Sequence, residues 1–147
     1  MKKVCELWVV SLLLLCVGLS FSACSDDDDD DSSSDVIVGK WQSTYVEVWN
    51  KIDGVDDGEG YKGPFPAAII TFDNNKTVSI TGADAIGDVF NGTGNYTLSG
   101  STLTIEKSGM KSKLRVLELT DSKLVIEYSF QEDNLEGYLK LECKRVD

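Results

Sequence analysis

The side chains that could carry out chemistry in this chain are mostly carboxylates. The 147 residues include 25 Asp and Glu, 14 Lys and Arg, four Cys and no His, with a formal charge of −11. Histidine is the commonest general base, so its absence removes most nucleophile–base arrangements. Because carboxylates are plentiful, the composition does not exclude a catalytic carboxylate pair of the kind found in glycosidases. Glu47, Glu118 and Glu127 lie in predicted strands, however, and are expected to face outward or to be paired. We therefore expect that the protein is not an enzyme and that it binds no cofactor.

The acidic loop 53–60, "DGVDDGEG", has the composition of a calcium site. An EF-hand loop needs acidic ligands at positions one, three, five and twelve, and Val55 and Pro64 occupy the third and twelfth. A zinc site is excluded because there is neither a His nor a Cys-x-x-Cys pair. We therefore expect no metal, and we interpret this stretch as part of a flexible, Gly-rich link from 50 to 66.

A cysteine follows an apolar N-terminal segment. Lys2 and Lys3 precede the run Leu7 to Phe21, which at 15 residues is shorter than the roughly 20 that span a bilayer. Phe21-Ser22-Ala23-Cys24 resembles the lipobox of bacterial lipoproteins, with Phe21 where Leu is usual. The resemblance implies that 1–23 is a signal peptide and that Cys24 carries acyl chains, which anchor a protein firmly when there are two or more. The alternative is an ordinary secretory signal that is cut near Ala23.

Six aspartates and three serines then follow Ser25. The adjacent carboxylates repel one another and keep the chain extended and solvated. We therefore interpret 24–35 as a disordered tether that holds a domain, 36–147, away from the membrane. Ser25 to Asp28 also resembles the acidic tag that sends some Gram-negative lipoproteins to the outer leaflet, which implies an outer-membrane protein facing the cell exterior. The acidic balance argues against nucleic acid as a partner.

The domain has a period of two almost throughout, with turn residues between the alternating runs, which predicts consecutive antiparallel hairpins. Ala83 to Phe90 can form a turn of helix. Eight strands are predicted: 40–49, 67–73, 76–81, 93–98, 101–107, 112–119, 123–130 and 137–145. A meander of this kind favours a closed barrel over a sandwich, because closure removes exposed edges.

Four segments resemble the lipocalin-like domains of small bacterial lipoproteins. They are "VGKWQSTYVEVW", "IITFDNNKTVSI", "GTGNYTLSGSTLTI" and "LRVLELTDSKLVIEY". The resemblance spans 38–146 and implies an all-β fold, an eight-stranded antiparallel up-and-down barrel of calycin type with one end closed. It also implies that Arg145 lies across Trp41, beside Gly39, and seals the barrel base. Arg115 is the alternative partner of Trp41.

The same resemblance implies a small apolar or amphipathic ligand and a lid formed by the first loop. The candidates for the barrel lining and lid are Trp49, Tyr61, Phe65, Ile70, Phe72, Ile80, Leu103, Ile126 and Tyr128. An eight-stranded barrel either holds one small ligand or is filled by its own side chains. A filled barrel would instead favour a cell-envelope interaction or inhibitor module, with its function on the loops. In either case we expect a monomer.

Overall fold

The computed structural model describes residues 30–58, 60–86 and 90–147. A helix, α1 (Asp30–Ile37), precedes the strands, and a short 3₁₀ helix spans Asp84–Ile86. The strands are β1 (Gly39–Ile52), β2 (Val55–Asp56), β3 (Tyr61–Pro64), β4 (Ile69–Phe72), β5 (Thr77–Thr81), β6 (Gly92–Ser99), β7 (Thr102–Lys107), β8 (Met110–Leu119), β9 (Lys123–Glu132) and β10 (Leu135–Arg145). Within the described residues, no helix is long and apolar enough to cross a bilayer.

Eight of these strands form a closed antiparallel barrel. Each strand from β4 to β10 pairs with the next, β4 also pairs with β1, and β10 returns to pair with β1. The closing ladder runs from Trp41 opposite Arg145 to Ile52 opposite Leu135. The predicted eight-stranded barrel is therefore confirmed.

A β-bulge changes which side chains of β1 point inward. Trp41 and Ser43 are fully buried, and the pairing register with β10 then shifts between Ser43 and Tyr45. After the shift, Val46 is the next fully buried residue. A bulge adds one residue and so reverses the alternation beyond it. As a consequence, Trp49 lies on the opposite face from the one that the unbroken alternation predicts.

The link from 50 to 66, between the first two predicted strands, contains two short strands, β2 and β3, that pair with β1. β2 pairs with the end of β1, and β3 pairs with Tyr45 to Val48. Ser43 holds the passage from β3 to β4, because its hydroxyl donates to the Phe65 carbonyl and accepts from the Ala68 amide at 3.0 Å. The expectation of a flexible loop over 50–66 is thus corrected, since β1 extends beyond residue 49 and offers backbone partners to the link.

Helix α1 packs against β6 and β8 at the end of the barrel where β1 begins. Its last residue, Ile37, is fully buried, and Ser34 is buried as well. The Ile37 carbonyl accepts a hydrogen bond of 2.8 Å from Trp41 Nε1. Residues 30–35 are therefore helical and not extended, because the apolar end of the helix anchors them to the barrel. The rest of the expected tether and the signal segment lie outside the described residues.

Candidate functional site

A cavity of about 250 Å³ occupies the barrel interior. Its wall is mostly aliphatic and aromatic, because every second residue of the strands points inward. The residues that line it are Ala68, Ile70, Phe72, Val78, Ile80, Ala83, Ile86, Phe90, Gly92, Gly94, Ile105, Lys107, Met110, Ser112, Leu114, Ile126, Tyr128, Leu139 and Leu141. The volume is slightly below the roughly 300 Å³ at which pockets for drug-sized ligands begin. The cavity therefore suits a smaller or slender molecule.

The described residues between β5 and β6, 82–86 and 90–91, follow the end of β5 and precede β6, at the end of the barrel opposite α1. Ala83, Ile86 and Phe90 line the cavity from this segment, and the predicted helical turn is present as Asp84–Ile86. Phe90 meets Tyr128 edge to face, with ring centroids 6.0 Å apart. Asn91 binds the residues that follow β5, because its Oδ1 accepts from the Ala83 amide at 2.9 Å and its Nδ2 donates to Asp84 Oδ1 at 2.8 Å.

The structure brings five of the nine ligand candidates together around this cavity. They are Ile70, Phe72, Ile80, Ile126 and Tyr128. Leu103 is fully buried in the core but is not among the lining residues, which corrects that candidate.

The candidates from β1 and the link to β4 are corrected too. Trp49 lies outside the cavity because of the bulge in β1, and it stacks on Tyr138 with ring centroids 5.2 Å apart. Tyr61 is 49% exposed on β3, and its hydroxyl donates to the Pro64 carbonyl. Phe65 is buried in the core but does not line the cavity. Among the described residues, the lining of the cavity therefore includes Ala83, Ile86 and Phe90 and no residue of the first link.

Two polar side chains of the cavity wall were not among the candidates. Lys107 continues the inward face of Leu103 and Ile105 on β7, and Ser112 precedes Leu114 on the inward face of β8. The same alternation that identified Leu103 and Ile105 would have found Lys107, had charged residues been counted on the inner face.

At the closed end, Arg145 lies over Trp41, with the guanidinium carbon 4.4 Å from the ring centroid. Its Nη1 donates to the Val38 carbonyl at 2.8 Å, its Nη2 to the Val36 carbonyl, and its Nε to the Asp121 carbonyl at 2.6 Å. A Cβ at Gly39 would overlap Arg145 Nη1, so the guanidinium uses the space that glycine leaves. The other candidate partner, Arg115, binds Glu127 on the surface at 2.7 Å.

The three strand carboxylates that were expected to face outward or to be paired are all in ion pairs. Glu47 pairs with Lys62, Glu118 with Lys123, and Glu127 with Arg115. Glu127 also accepts from the Tyr138 hydroxyl; burial first, and then this hydrogen bond, raise the pKa of Tyr138 to about 12. Across the described ranges, no three His, Cys, Asp or Glu side chains converge as metal ligands would.

The chain was compared with protein-family models, curated sequences and solved structures. A family model for a lipocalin-like domain matches residues 37–126, more than half of the chain. Among solved structures, the chain is similar to a lipocalin-like protein from Bacteroides uniformis, with 18% identity and a TM-score of 0.45, over 76% of this chain and 99% of that one. It is also similar to a deswapped triple mutant of bovine odorant-binding protein, with 13% identity and a TM-score of 0.42, over 76% of this chain and 74% of that one. No curated protein sequence matches it.

The family match covers the four quoted segments on which the sequence resemblance rests, apart from the last two residues of "LRVLELTDSKLVIEY". It extends from the end of α1 into β9, through the strands that contribute most of the cavity wall. This chain belongs to the lipocalin-like domain family.

Proposed function

We propose that this protein is a non-enzymatic, lipid-anchored lipoprotein whose barrel binds one small apolar or amphipathic molecule. The observation that carries the binding proposal is the apolar cavity of about 250 Å³. Burial of apolar ligand surface in such a cavity supplies about 25 cal/mol per Å². Members of the lipocalin-like family are typically non-enzymatic binding proteins, which supports the proposal that this protein binds a ligand and is not an enzyme.

The test of binding compares two neighbouring positions on β8 that face opposite ways. Ser112 lines the cavity, whereas Lys113 is exposed. Ser112→Phe places a ring in the cavity and should weaken the binding of 1-decanol, a neutral amphiphile, by tenfold or more. Lys113→Phe adds the same ring outside and should leave binding unchanged. Isothermal titration calorimetry measures both, after far-ultraviolet circular dichroism has shown that each variant is folded.

Binding of 1-decanol that survives Ser112→Phe would place the ligand outside the barrel. If neither decanol nor a charged amphiphile binds saturably to the unaltered chain, the barrel interior does not hold a ligand. Both results count against the proposal, and the second would favour the alternative function.

The alternative is a protein-interaction or inhibitor module. The observation that favours it is a group of exposed apolar side chains near the β1–β2 hairpin: Ile52 at 49%, Val55 at 68% and Tyr61 at 49%. Ile52 and Val55 face each other across the β1–β2 ladder. A chain with all three replaced by Ser should lose an envelope partner in a pull-down if this alternative holds, whereas Ser112→Phe should keep it.

Membrane anchoring at Cys24 is supported by the apolar leader and by the lipobox-like residues before that cysteine. We expect Cys24→Ala, expressed as the full chain in a Gram-negative host, to lose incorporation of labelled palmitate and to leave the membrane fraction. Cys143→Ala is the control, since Cys143 is buried in the barrel and should not affect anchoring. Equal labelling of both variants would contradict acylation at Cys24.

Exposure on the cell surface is a separate part of the proposal. It is supported by the acidic residues that follow Cys24. Externally added protease should digest the domain in intact cells, and replacement of Asp26 to Asp28 by Asn should protect it. Equal protection of both forms would indicate that the protein faces the periplasm.

A further inference from the structure

The barrel wall contains a stretch in which two neighbouring strands are not paired with each other. The β8–β9 ladder ends at Arg115 opposite Glu127. β8 extends five residues before this pair and β9 five residues after it, namely 110–114 and 128–132. Each segment keeps its other neighbour, because 110–114 pair with β7 and 128–132 pair with β10. We call the opening between these two segments the β8–β9 gap.

The β8–β9 gap borders the cavity. Ser112 and Leu114 line the cavity from β8, and Tyr128 lines it from β9. Ser112 and Tyr128 are only partly buried, although both side chains belong to the cavity wall. Within the described residues, neither hydroxyl is engaged in a hydrogen bond, so these side chains do not tie the two edges of the gap together.

Two large apolar side chains are exposed beside the gap, one on each edge. Met110 is 63% exposed on β8, and Phe130 is 37% exposed on β9. Met110 also lines the cavity, and the Phe130 ring lies 6.1 Å from the Tyr128 ring between centroids. An apolar surface therefore continues from the cavity wall to the outside of the barrel. The unbranched methionine side chain has three rotatable bonds, so it adapts readily to a passing molecule.

Unpaired strand edges can also accept a strand from another protein. The β8 edge of the gap, however, carries Lys111 and Lys113, and both lysines are exposed. Lysine on an edge strand is one of the usual means by which proteins prevent pairing with a further strand. The β8–β9 gap is therefore better suited to the passage of a small molecule than to the addition of a strand.

We propose that the ligand enters and leaves the barrel sideways, through the β8–β9 gap. This inference rests on the proposed binding function and specifies the route to its site. Where two strands are paired, a molecule crosses the wall only after backbone hydrogen bonds break, which leaves buried donors and acceptors without partners. In the gap no ladder has to break, because the pairing has already ended at Arg115 and Glu127. Movement of side chains such as Met110 and Phe130 is sufficient there.

The experiment closes the gap reversibly with a covalent bridge. Lys113 and Ser129 each lie two residues beyond the ion pair of Arg115 with Glu127, and both are exposed on the outer face of the barrel. A chain with Lys113→Cys and Ser129→Cys is treated with a short bismaleimide that contains a reducible disulfide. Reduction reopens the gap in the same sample, so each protein serves as its own reference.

A matched control places the same bridge on an intact ladder. Thr97→Cys and Thr104→Cys are opposite each other in the β6–β7 ladder. Cys143 is buried and should not react with the reagent, and mass spectrometry verifies each bridge. Nuclear magnetic resonance exchange spectroscopy with ¹³C-labelled 1-decanol measures the dissociation rate. Calorimetry measures the dissociation constant, and the association rate follows from the two.

We expect the 113–129 bridge to slow association and dissociation of 1-decanol about tenfold or more, with a change of less than about threefold in the dissociation constant. Reduction should restore both rates, and the 97–104 bridge should change neither. Unchanged rates with the 113–129 bridge would place the entrance at the end of the barrel, which overturns the inference and leaves the proposed function intact. Equal slowing by both bridges would also overturn it, because exchange would then depend on the mobility of the whole barrel. If 1-decanol does not bind the unbridged chain, the inference fails together with the proposed function.

Discussion

At the scale of single residues, Arg145 connects four parts of the closed end. Its guanidinium covers Trp41 and donates to carbonyls on both sides of the α1–β1 junction and to Asp121. The cation–π contact is worth about 0.5–2 kcal/mol and each hydrogen bond about 0.5–1.5 kcal/mol. We expect Arg145→Ala to lower the free energy of unfolding by about 2–3 kcal/mol, measured by urea denaturation.

Arg115→Ala provides the comparison. Arg115 is also a strand arginine, but its ion pair with Glu127 is on the surface, where such pairs contribute about 0–1 kcal/mol. Equal small losses in the two variants would show that the contact over Trp41 contributes little to stability.

Cys143 couples the stability of the barrel to alkaline pH. The thiol is buried, and burial first, then the nearby Glu142 carboxylate, raise its pKa from 9.0 to about 12. The folded chain therefore keeps this proton between about pH 9 and pH 12, whereas the unfolded chain releases it. Because the folded state then binds more protons, this contribution is full below pH 9 and is lost as the pH rises through 12.

The measurement is urea unfolding of the reduced wild type and of Cys143→Ala at pH 8, 9.5 and 10.5. We expect the free energy of unfolding of the wild type to fall steadily, relative to that of Cys143→Ala, as the pH rises. Tyrosines and lysines titrate in the same range in both proteins, so the difference isolates the thiol. A difference that does not change with pH would show that Cys143 ionises equally well in the folded barrel.

At the scale of the elements, the turn after β5 sets the position of the cavity-lining residues between β5 and β6. Gly82 has a φ of 74°, and a Cβ there would overlap the Ala67 carbonyl oxygen. Gly100, in the β6–β7 hairpin, has a φ of 55° with no atom within 4 Å of such a Cβ. The two positions share a left-handed backbone and differ in the space around them.

Gly100→Ala should therefore cost about 1 kcal/mol, which is the penalty of the left-handed conformation alone. Gly82→Ala should cost at least twice as much, because backbone atoms must also move. Chemical denaturation measures both values. If the two variants are equally stable, the contact between Gly82 and the Ala67 carbonyl is not tight in solution.

The strands were predictable because their alternation is regular and their turns carry strong signals. "TFDNNKTVSI" and "TLSGSTLTI" each place polar turn residues between two alternating runs, and both form hairpins in the structure. The position of Trp49 was not predictable in this way. A bulge between Ser43 and Tyr45 leaves no clear signal in composition, yet it reverses every side chain that follows it on β1.

The cavity was predictable only in part, for a related reason. Residues such as Ile70 and Ile126 are apolar and alternate, so the sequence identifies them as inward-facing. Whether such side chains meet and fill the interior or leave space depends on the barrel's cross-section, which no local pattern specifies. Lys107 is not apolar, so a search for apolar inward-facing residues passes over it, although its place in the alternation of β7 indicates that it faces inward.

At the scale of the whole molecule, the barrel depends on one long ladder between the two ends of the domain. β1 and β10 are paired from Trp41–Arg145 to Ile52–Leu135. The residues that pair are between 83 (Ile52–Leu135) and 104 (Trp41–Arg145) positions apart in sequence, so this ladder joins the two ends of the domain. Its backbone amides should therefore exchange with solvent only when the whole barrel unfolds.

Native-state hydrogen exchange measured by nuclear magnetic resonance tests this. The slowest amides should lie in the central part of β1 and β10, with protection approaching the free energy of global unfolding. The β2 strand, which has two residues and is exposed, should exchange much faster and provides an internal control. If β1 and β10 exchanged as fast as β2 while β6 and β7 stayed protected, the barrel would open at this seam, and a ligand could enter the cavity there instead of through the β8–β9 gap.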